Sequence, residues 1–336
     1  MSIVSTFKFR FLGRKIYEEF STVVILTQQK RVHDLIWYQF LTRLRKGEVN
    51  ESDLTMLRSL ILGVDSNGTN QTNWKQASMI TPRHAVRKAW NKEACREMCA
   101  MNGQRLFICL AQDSVGDHIL TSEDKINIAS KKTSKKGKAL PDEIEIGVGM
   151  KVLVTYNIQT NLDITNGARG TIVDIVLDPR DAETVNSDEP ICQLQYLPKY
   201  ILVRLERTRV SKLAGLEDNM IPIEPMTISM EAEKHTGHGW SKISIRRTQY
   251  PLTAAYAFTD FRSQGQTINQ AIIDIAPPPR GTLSLFNLYV ALSRSPGRND
   301  IRLLRDFKDE MFLKTHDNDL LKEDERLEDM SMFTKG

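Results

Sequence analysis

The residue types best suited to chemistry are concentrated in two short stretches. In the first, Ala255-Tyr-Ala-Phe-Thr-Asp-Phe-Arg-Ser-Gln-Gly-Gln-Thr-Ile268, a strand-like run ends at Thr259 and leads into Ser263, Gln264, Gly265, Gln266 and Thr267. The second is Tyr289-Val-Ala-Leu-Ser-Arg-Ser295. Hydroxyls, amides and a glycine backbone at the carboxyl end of a strand stand where α/β sheets bind ligands. Glycine lets a phosphate approach main-chain N–H groups, and Ser or Thr hydroxyls add uncharged donors. Taken alone, such a stretch is more often a polar turn. A Gly-x-x-x-x-Gly-Lys-Ser/Thr pattern, which builds the usual phosphate cradle, occurs nowhere in the chain.

Other constellations carry less. Cys95 and Cys99 share one helical face, but with Met98 and Met101 beside them the spacing reads as core packing rather than a metal site, which only Cys109, Cys192 or a distant His would complete. No metal site is expected. His235-Thr-Gly-His238 has no carboxylate support. The run Lys131-Lys-Thr-Ser-Lys-Lys-Gly-Lys138 reads as a basic loop, with nuclear targeting or phosphate binding as its functional alternatives.

The elements that must position these residues follow from pattern. Residues 22–27, Thr-Val-Val-Ile-Leu-Thr, form a β-branched run that predicts a buried strand. Asp34 is placed to cap a helix whose apolar positions Trp37, Phe40, Leu41 and Leu44 recur at helical spacing, with Gly47 as its end. Asn50 and Asp53 have capping-box spacing for a second helix over 50–62, and the two should form a hairpin. Residues 65–73 are a loop. Residues 77–80 are strand-like. Thr81-Pro82 reads as a capping hydroxyl and a first-turn proline for a helix running to about Met101, and 106–111 as the next strand of a βαβ unit. From 147 to 247 the pattern turns to short alternating strands, read as a small antiparallel barrel. Then α/β texture returns: strand 252–259, strand 271–275, helix 283–292 and strand 301–304. The stretch after 313 is charged, an exposed helix or tail.

Composition bounds the class. The chain has 336 residues, 40% hydrophobic and 26% charged, which suits an ordinary globular protein of about two domains and excludes collagen-like and wholly disordered classes. With 46 basic and 42 acidic residues the net charge is +4, too mild to indicate nucleic-acid binding by itself, so any such function must rest on local pattern. Between Thr81 and Leu106, six Arg or Lys face two acids. A solvated helix face explains that excess as well as a phosphate-contacting one does. Four cysteines with no secretory signal suggest reduced thiols in an intracellular compartment, and the expected location is nuclear; no apolar run approaches bilayer length, so no membrane partner is expected.

The two chemical stretches together resemble motifs V and VI of superfamily 1B helicases, the group that contains the Pif helicases and bacterial RecD. Those motifs read Ala-x-Thr-x-His-Lys-Ser-Gln-Gly-x-Thr and Tyr-Val-Ala-Leu-Ser-Arg. Further matches fall in family order: Thr27-Gln-Gln-Lys-Arg31-Val-His-Asp34 resembles motif IV, Ile80-Thr-Pro-Arg-His-Ala-Val-Arg87 with Asn91 the strand-helix segment after it, and Val148 to Ile172 the family's segment ending in Asn-Gly-x-x-Gly. The chain departs from the pattern at Phe261-Arg262, where His-Lys is usual, and at His84, where Asn is commoner. Motifs I, Ia, II and III are absent, so the resemblance is to the C-terminal half.

The resemblance implies an α/β fold: a RecA-like (P-loop NTPase-type) second helicase domain with an inserted small all-β, Src-homology-3-like barrel. The expected boundaries are an N-terminal remnant 1–20, a first RecA-like part 21–146, the insert 147–247, a second RecA-like part 248–312 and a charged tail 313–336. By the same resemblance Arg31 and Arg294 are the arginines that reach the γ-phosphate of ATP. The guanidinium suits that task because it is permanently charged and binds phosphate bidentately. Gln266 and Gly265 face the nucleotide. Thr81, Arg83, His84, Thr259, Arg262, Ser263 and Gln264 contact single-stranded DNA, with Arg87 and, in the insert, Lys151, Tyr156 and Arg169 as further candidates. ATP and Mg2+ would be cofactors only once a missing N-terminal RecA-like domain, encoded separately or upstream, completes the site; the isolated chain is expected to hold none and to turn over no ATP. Family membership further implies 5′ to 3′ movement and roles in DNA repair and recombination. The competing reading is a helicase-derived module that binds single-stranded nucleic acid and hydrolyses nothing.

Overall fold

A computed structural model describes residues 12–26, 28–63, 74, 77–126, 128–129, 140–181, 189–209, 212–236, 239–278 and 281–334. The expected loop 65–73 and basic run 131–138 lie outside the described residues. The chain divides into two compact units, one made of Met1–Pro82 with Ser263–Gly336 and the other of Arg83–Arg262.

In the first unit, Leu35–Lys46 is a helix because Asp34 accepts from Ile36 N at 3.0 Å and Trp37 N at 3.2 Å, and because Trp37, Phe40, Leu41 and Leu44 all turn inward. It ends at Gly47. Asn50 and Asp53 form the expected capping box on the helix Glu51–Ser59. Asp53, buried, also receives Arg43 Nε at 2.8 Å and a second guanidinium nitrogen at 2.6 Å, which ties the two helices together. Ser78–Ile80, Ala271–Ile273 and Ile301–Leu303 lie side by side as parallel strands, buried except at the half-buried Ser78 and Arg302, in register Met79↔Ile272↔Arg302. The central strand, Ala271–Ile273, reads as the continuous apolar run expected of a parallel strand covered on both faces. The helix Leu285–Leu292 is capped by Ser284 and packs on Leu35–Lys46. The charged C-terminal stretch is the helix Asn318–Thr334, and Tyr17, on a helical turn over 12–18, donates to its Glu323 at 2.8 Å.

The second unit holds three sheets. The helix His84–Met101 buries Asn91, Cys95 and Cys99. The strand Leu106–Leu110 pairs antiparallel with Glu143–Ile146 and parallel with Ile191–Leu194. A five-stranded antiparallel sheet runs in the order Met220–Ile223, Tyr200–Leu205, Arg169–Val176, Lys151–Val154, Leu252–Ala254. The long hairpin of Met226–Thr236 and Gly239–Gln249 belongs to a third sheet with Gln112–Val115. Cys95, Cys99, Cys109 and Cys192 are all buried in a core shared with Leu106, Ile146, Met150, Ile201 and Val203.

Several expectations change. Residues 22–26 join no ladder, and Val24 and Leu26 are exposed; β-branched residues fit a half-buried pleat, but a strand needs a paired neighbour, and none among the described residues takes this one. Thr27 lies outside the described residues. The strand Leu106–Leu110 does not complete a βαβ unit with Ser78–Ile80, since both its edges are taken by Glu143–Ile146 and Ile191–Leu194. The compact units divide at 82/83 and 262/263, a division by packing that leaves the expected domain boundaries at 146/147 and 247/248 as an expectation. The cause is the inward face of His84–Met101, whose cysteines share one core with the antiparallel strands. That antiparallel sheet takes in 252–254 and leaves out the 226–249 hairpin.

The expected strand 252–259 is broken at Ala255 and Tyr256, and Asn91 holds the break. Its Oδ1 accepts from Tyr256 N at 3.0 Å and Ala257 N at 2.8 Å, and its Nδ2 donates to Ala257 O at 3.3 Å. Asn91→Ala orphans these buried groups and should cost at least about 2 kcal/mol in urea unfolding. Asn91→Asp, which keeps the double acceptor, should recover part of the loss. A midpoint unchanged in Asn91→Ala would show that the break is held by other means.

Candidate functional site

The two arginines singled out by sequence meet in the first unit. Arg294 follows the helix Leu285–Leu292 and is buried. Its Nε donates to Val290 O at 2.8 Å, one terminal nitrogen to Ser293 Oγ at 2.7 Å, and the other to the carbonyls of Ser263 and Gln266, both at 3.5 Å. Those carbonyls belong to a tight turn in which Gln266 N donates back to Ser263 O at 3.2 Å. Gly265 has φ +79°, the left-handed region that glycine enters without cost. Arg294 thus knits the Ser-Gln-Gly-Gln turn to the end of the Tyr-Val-Ala-Leu-Ser-Arg helix.

Arg31 reaches the same place from another part of the chain. Its Nε donates to Thr267 Oγ1 at 3.0 Å and its NH1 to Ser293 O at 3.1 Å. Three further contacts lay its segment along residues 293–298. His33 N donates to Pro296 O at 3.1 Å, and Arg298 donates to Asp34 through Nε at 2.6 Å and through its backbone N at 3.2 Å. Burial alone would raise the Asp34 carboxyl, but Arg298 and the backbone N–H groups hold it below the usual carboxylate range. Gly297 is obligatory for this approach, because a Cβ there would lie 2.9 Å from the Asp34 Cβ.

The electrostatics are distinctive. Every acceptor printed above for Arg31 and Arg294 is a neutral oxygen, and among the described residues neither forms an ion pair with a carboxylate. Burial, and then the charge of Arg31, push the Arg294 guanidinium down to about 10, so it stays protonated at neutral pH. Two like charges thus lie beside the Ser-Gln-Gly-Gln turn with no acid partner among the described residues, an arrangement with the charge and donors that an anion requires. Arg31 is half-buried and more accessible than Arg294. Gln266 is half-buried beside them and Gly265 is exposed.

The residues expected to contact a strand divide between the units. In the first unit, Gln264 is exposed on the turn, but Ser263 and Thr81 are fully buried. Thr81 does not cap the following helix. Its hydroxyl donates to the buried Asp274 at 2.9 Å, and Arg305 reaches that carboxylate at 3.0 Å. The helix begins at His84, with Arg83 in the cap position and no side-chain cap bond. In the second unit, His84 and Arg262 are exposed, Arg83 is half-buried, and Thr259 Oγ1 accepts from Arg262 N at 3.4 Å. Tyr156 and Arg169 are half-buried; Arg169 stacks over Phe258 at 4.3 Å. Lys151 is exposed. His235 lies edge-on to Trp240, with ring centroids 5.1 Å apart, while His238 lies outside the described residues. Sequence reasoning named Arg87 only as one of several helix cations; its burial beside Arg262 was signalled by nothing more than the local basic excess.

No protein-family model matches the chain. It is similar to the ATP-dependent DNA helicase Pif1 of Campylobacter jejuni, 23% identical over 281 residues that cover 83% of this chain and 52% of that protein. It is also similar to the ATP-dependent DNA helicase PIF7 of Trypanosoma brucei, 25% identical, covering 81% of this chain and 27% of that protein. Among solved structures, Bacteroides Pif1 bound to single-stranded DNA superposes with a TM-score of 0.56 at 20% identity, covering 90% of this chain and 56% of that one. Candida albicans Pif1 gives 0.56 at 19% identity, over 88% of this chain and 58% of that one. The chain therefore resembles Pif-type superfamily 1B helicases in sequence and shares their α/β fold, and it spans about half the length of the Pif1 proteins it matches. Among the described residues no helix is long and apolar enough to cross a membrane.

An anion bound at the paired arginines should relieve their repulsion. Pyrophosphate is expected to slow hydrogen exchange in peptides covering 263–268 and 289–295, and Arg31→Gln should abolish that protection without unfolding the chain. Equal protection in Arg31→Gln would remove the arginine pair as the anion receptor.

Proposed function

We propose that the chain acts as the C-terminal part of a Pif-type ATP-dependent DNA helicase, supplying the arginines that sense the γ-phosphate and part of the surface that holds the translocating strand. The observation that carries this reading is the convergence of Arg31 and Arg294 at Ser293 with no carboxylate partner among the described residues, on a fold shared with Pif1 helicases. The donor set fits a terminal phosphate: planar, permanently charged groups held by rigid elements and by neutral oxygens. Bound ATP supplies the phosphoanhydride whose hydrolysis drives stepping, and Mg2+ neutralises its charge. The phosphate loop and magnesium acids come from a second RecA-like domain outside this sequence. Within this chain Arg31 is the accessible arginine, Arg294 adds charge and fixes the turn, and Gln266 and Gly265 present that turn to nucleotide.

For the strand, Gln264 in one unit and Arg83, His84, Thr259 and Arg262 in the other are the proposed contacts, with Thr81 and Ser263 acting from inside to hold the backbone. Phosphate contacts of this sort position a strand without reading its sequence. The five-stranded antiparallel sheet is the proposed counterpart of the Src-homology-3-like insert. Nuclear location, repair and recombination roles and 5′ to 3′ movement belong to the same proposal.

The purified chain should show no ATP turnover above background, with or without oligothymidylate. A longer polypeptide that adds a phosphate-loop domain should hydrolyse ATP in a strand-dependent way, and Arg31→Ala or Arg294→Ala should lower its kcat by about 10³-fold or more. Turnover by the isolated chain that Arg294→Ala abolishes would overturn the need for a second domain. Salt-dependent oligothymidylate binding with no ATPase in the longer polypeptide would instead make the chain a non-catalytic binding module.

A further inference from the structure

The second unit contains a further feature, which shares only Arg262 with the strand contacts proposed above. A cavity of about 570 Å³ opens beside the first half of the helix His84–Met101, bounded by that helix, by the Leu140–Ile146 segment and by Tyr156 and Arg262. Its volume falls within the roughly 300–1,000 Å³ typical of small-ligand pockets.

Charge is unevenly distributed around the cavity. Of its acids, Glu145 is matched by Lys92 at 3.5 Å and Arg96 at 3.0 Å, and Asp142 by Arg247, which also forks onto the buried Asp113. The third acid, Glu143, is exposed. Arg87 and Lys88, by contrast, form no ion pair among the described residues, and the Arg87 Nε is buried with no hydrogen-bond partner there. Burial, and after it the charge of Arg262, lower the Arg87 pKa, and both side chains line the same cavity. A buried donor without an acceptor costs about 1–3 kcal/mol unless a ligand supplies one. Elsewhere the wall is largely apolar, with Leu140 and Ile144 buried and Tyr156 half-buried, its phenol pushed up by burial, and with Asn91, Thr155 and Thr253 as its uncharged polar members.

We propose that this cavity is a nucleotide site, with a phosphoryl group between Arg87 and Arg262 and a planar base against Leu140, Ile144 and Tyr156. An inorganic anion would satisfy the cationic end and leave the apolar wall unused; an apolar ligand would leave the Arg87 Nε unsatisfied. A phosphate carrying an attached ring uses both. The phosphoryl group is supplied either by a free nucleotide or by the 5′ end of a strand. The site lies wholly within Arg83–Arg262 and is separate from the Arg31–Arg294 pair; it shares Arg262 with the proposed strand contacts, so Arg87, which they do not use, is the residue that tells the two readings apart.

The test uses the full chain and thymidine monophosphate, with thymidine as the uncharged control. Titration calorimetry should show the nucleotide binding about tenfold or more tightly than the nucleoside, and Arg87→Gln and the exposed-site variant Arg262→Gln should each remove about that factor. Hydrogen exchange should slow over 84–95 and 140–146 rather than over 263–268. Oligothymidylate with a 5′-phosphate that outcompetes its 5′-hydroxyl counterpart would identify the strand end as the source; no difference between the two would identify the free nucleotide. Equal binding of thymidine and its monophosphate would overturn the proposal. So would unchanged nucleotide affinity in a folded Arg262→Gln together with Arg87→Gln.

Discussion

The arrangement of the first unit depends on one clamp, the ion pair of Asp34 with Arg298. Asp34 has two tasks that ordinarily fall to different residues: it caps the helix Leu35–Lys46 and it receives the guanidinium that follows the Tyr-Val-Ala-Leu-Ser-Arg motif. Because both partners sit on one carboxylate, residues 31–34 have little freedom to move away from 293–298. Arg31 is carried to Ser293 as a result. The absence of a side chain at Gly297 lets the two segments approach this closely. The clamp offsets the repulsion between Arg31 and Arg294, since the attractive pair Asp34–Arg298 lies in the same two segments as the repulsive one. Strain of this kind is characteristic of sites organised for a ligand rather than for stability.

A similar economy governs the Ala255–Ile268 stretch, which one polar side chain holds near each end. Asn91 satisfies the backbone at Tyr256 and Ala257, and Arg294 satisfies the carbonyls of Ser263 and Gln266. Neither bond set is a regular ladder. Irregular backbone near a sheet must find its hydrogen-bond partners among side chains, because buried N–H and C=O groups are costly to leave unmet. Between these anchors, Phe261 and Arg262 are exposed and Asp260 is buried.

Much of the fold was legible because local signals had local causes. Asp34, Asn50 and Ser284 cap helices through contacts a few residues away, and the apolar stripe of Trp37, Phe40, Leu41 and Leu44 needs only helical periodicity to be read. The readings that changed all hinge on distant partners. Thr81 has the chemistry of a cap, but Asp274, far along the chain, takes its hydroxyl. Residues 22–26 have strand propensity and no paired neighbour among the described residues. Leu106–Leu110 has the right sequence for a βαβ strand, yet its pairing is decided by 143–146 and 191–194. For the site, the motifs drew attention to Arg31 and Arg294 individually. Their meeting at one serine, through neutral oxygens alone, is a tertiary fact that spacing does not encode.

That distinction also explains why net charge was a poor guide. With 46 bases against 42 acids, the chain as a whole is close to neutral, and many arginines are neutralised locally: Arg43 by Asp53, Arg247 by Asp113, Arg298 by Asp34, Arg326 by Glu323. Ion pairing of this kind makes a cation uninformative about ligands, since its charge is already spent. What identifies a receptor is a guanidinium that is withdrawn from water and still lacks a carboxylate, because desolvating an unpaired charge is expensive and a fold tolerates it only where something else supplies the counter-charge. Burial lowers the guanidinium pKa of Arg294 in one unit and of Arg87 in the other, whereas Arg43 and Arg247 are raised by their acid partners Asp53 and Asp113.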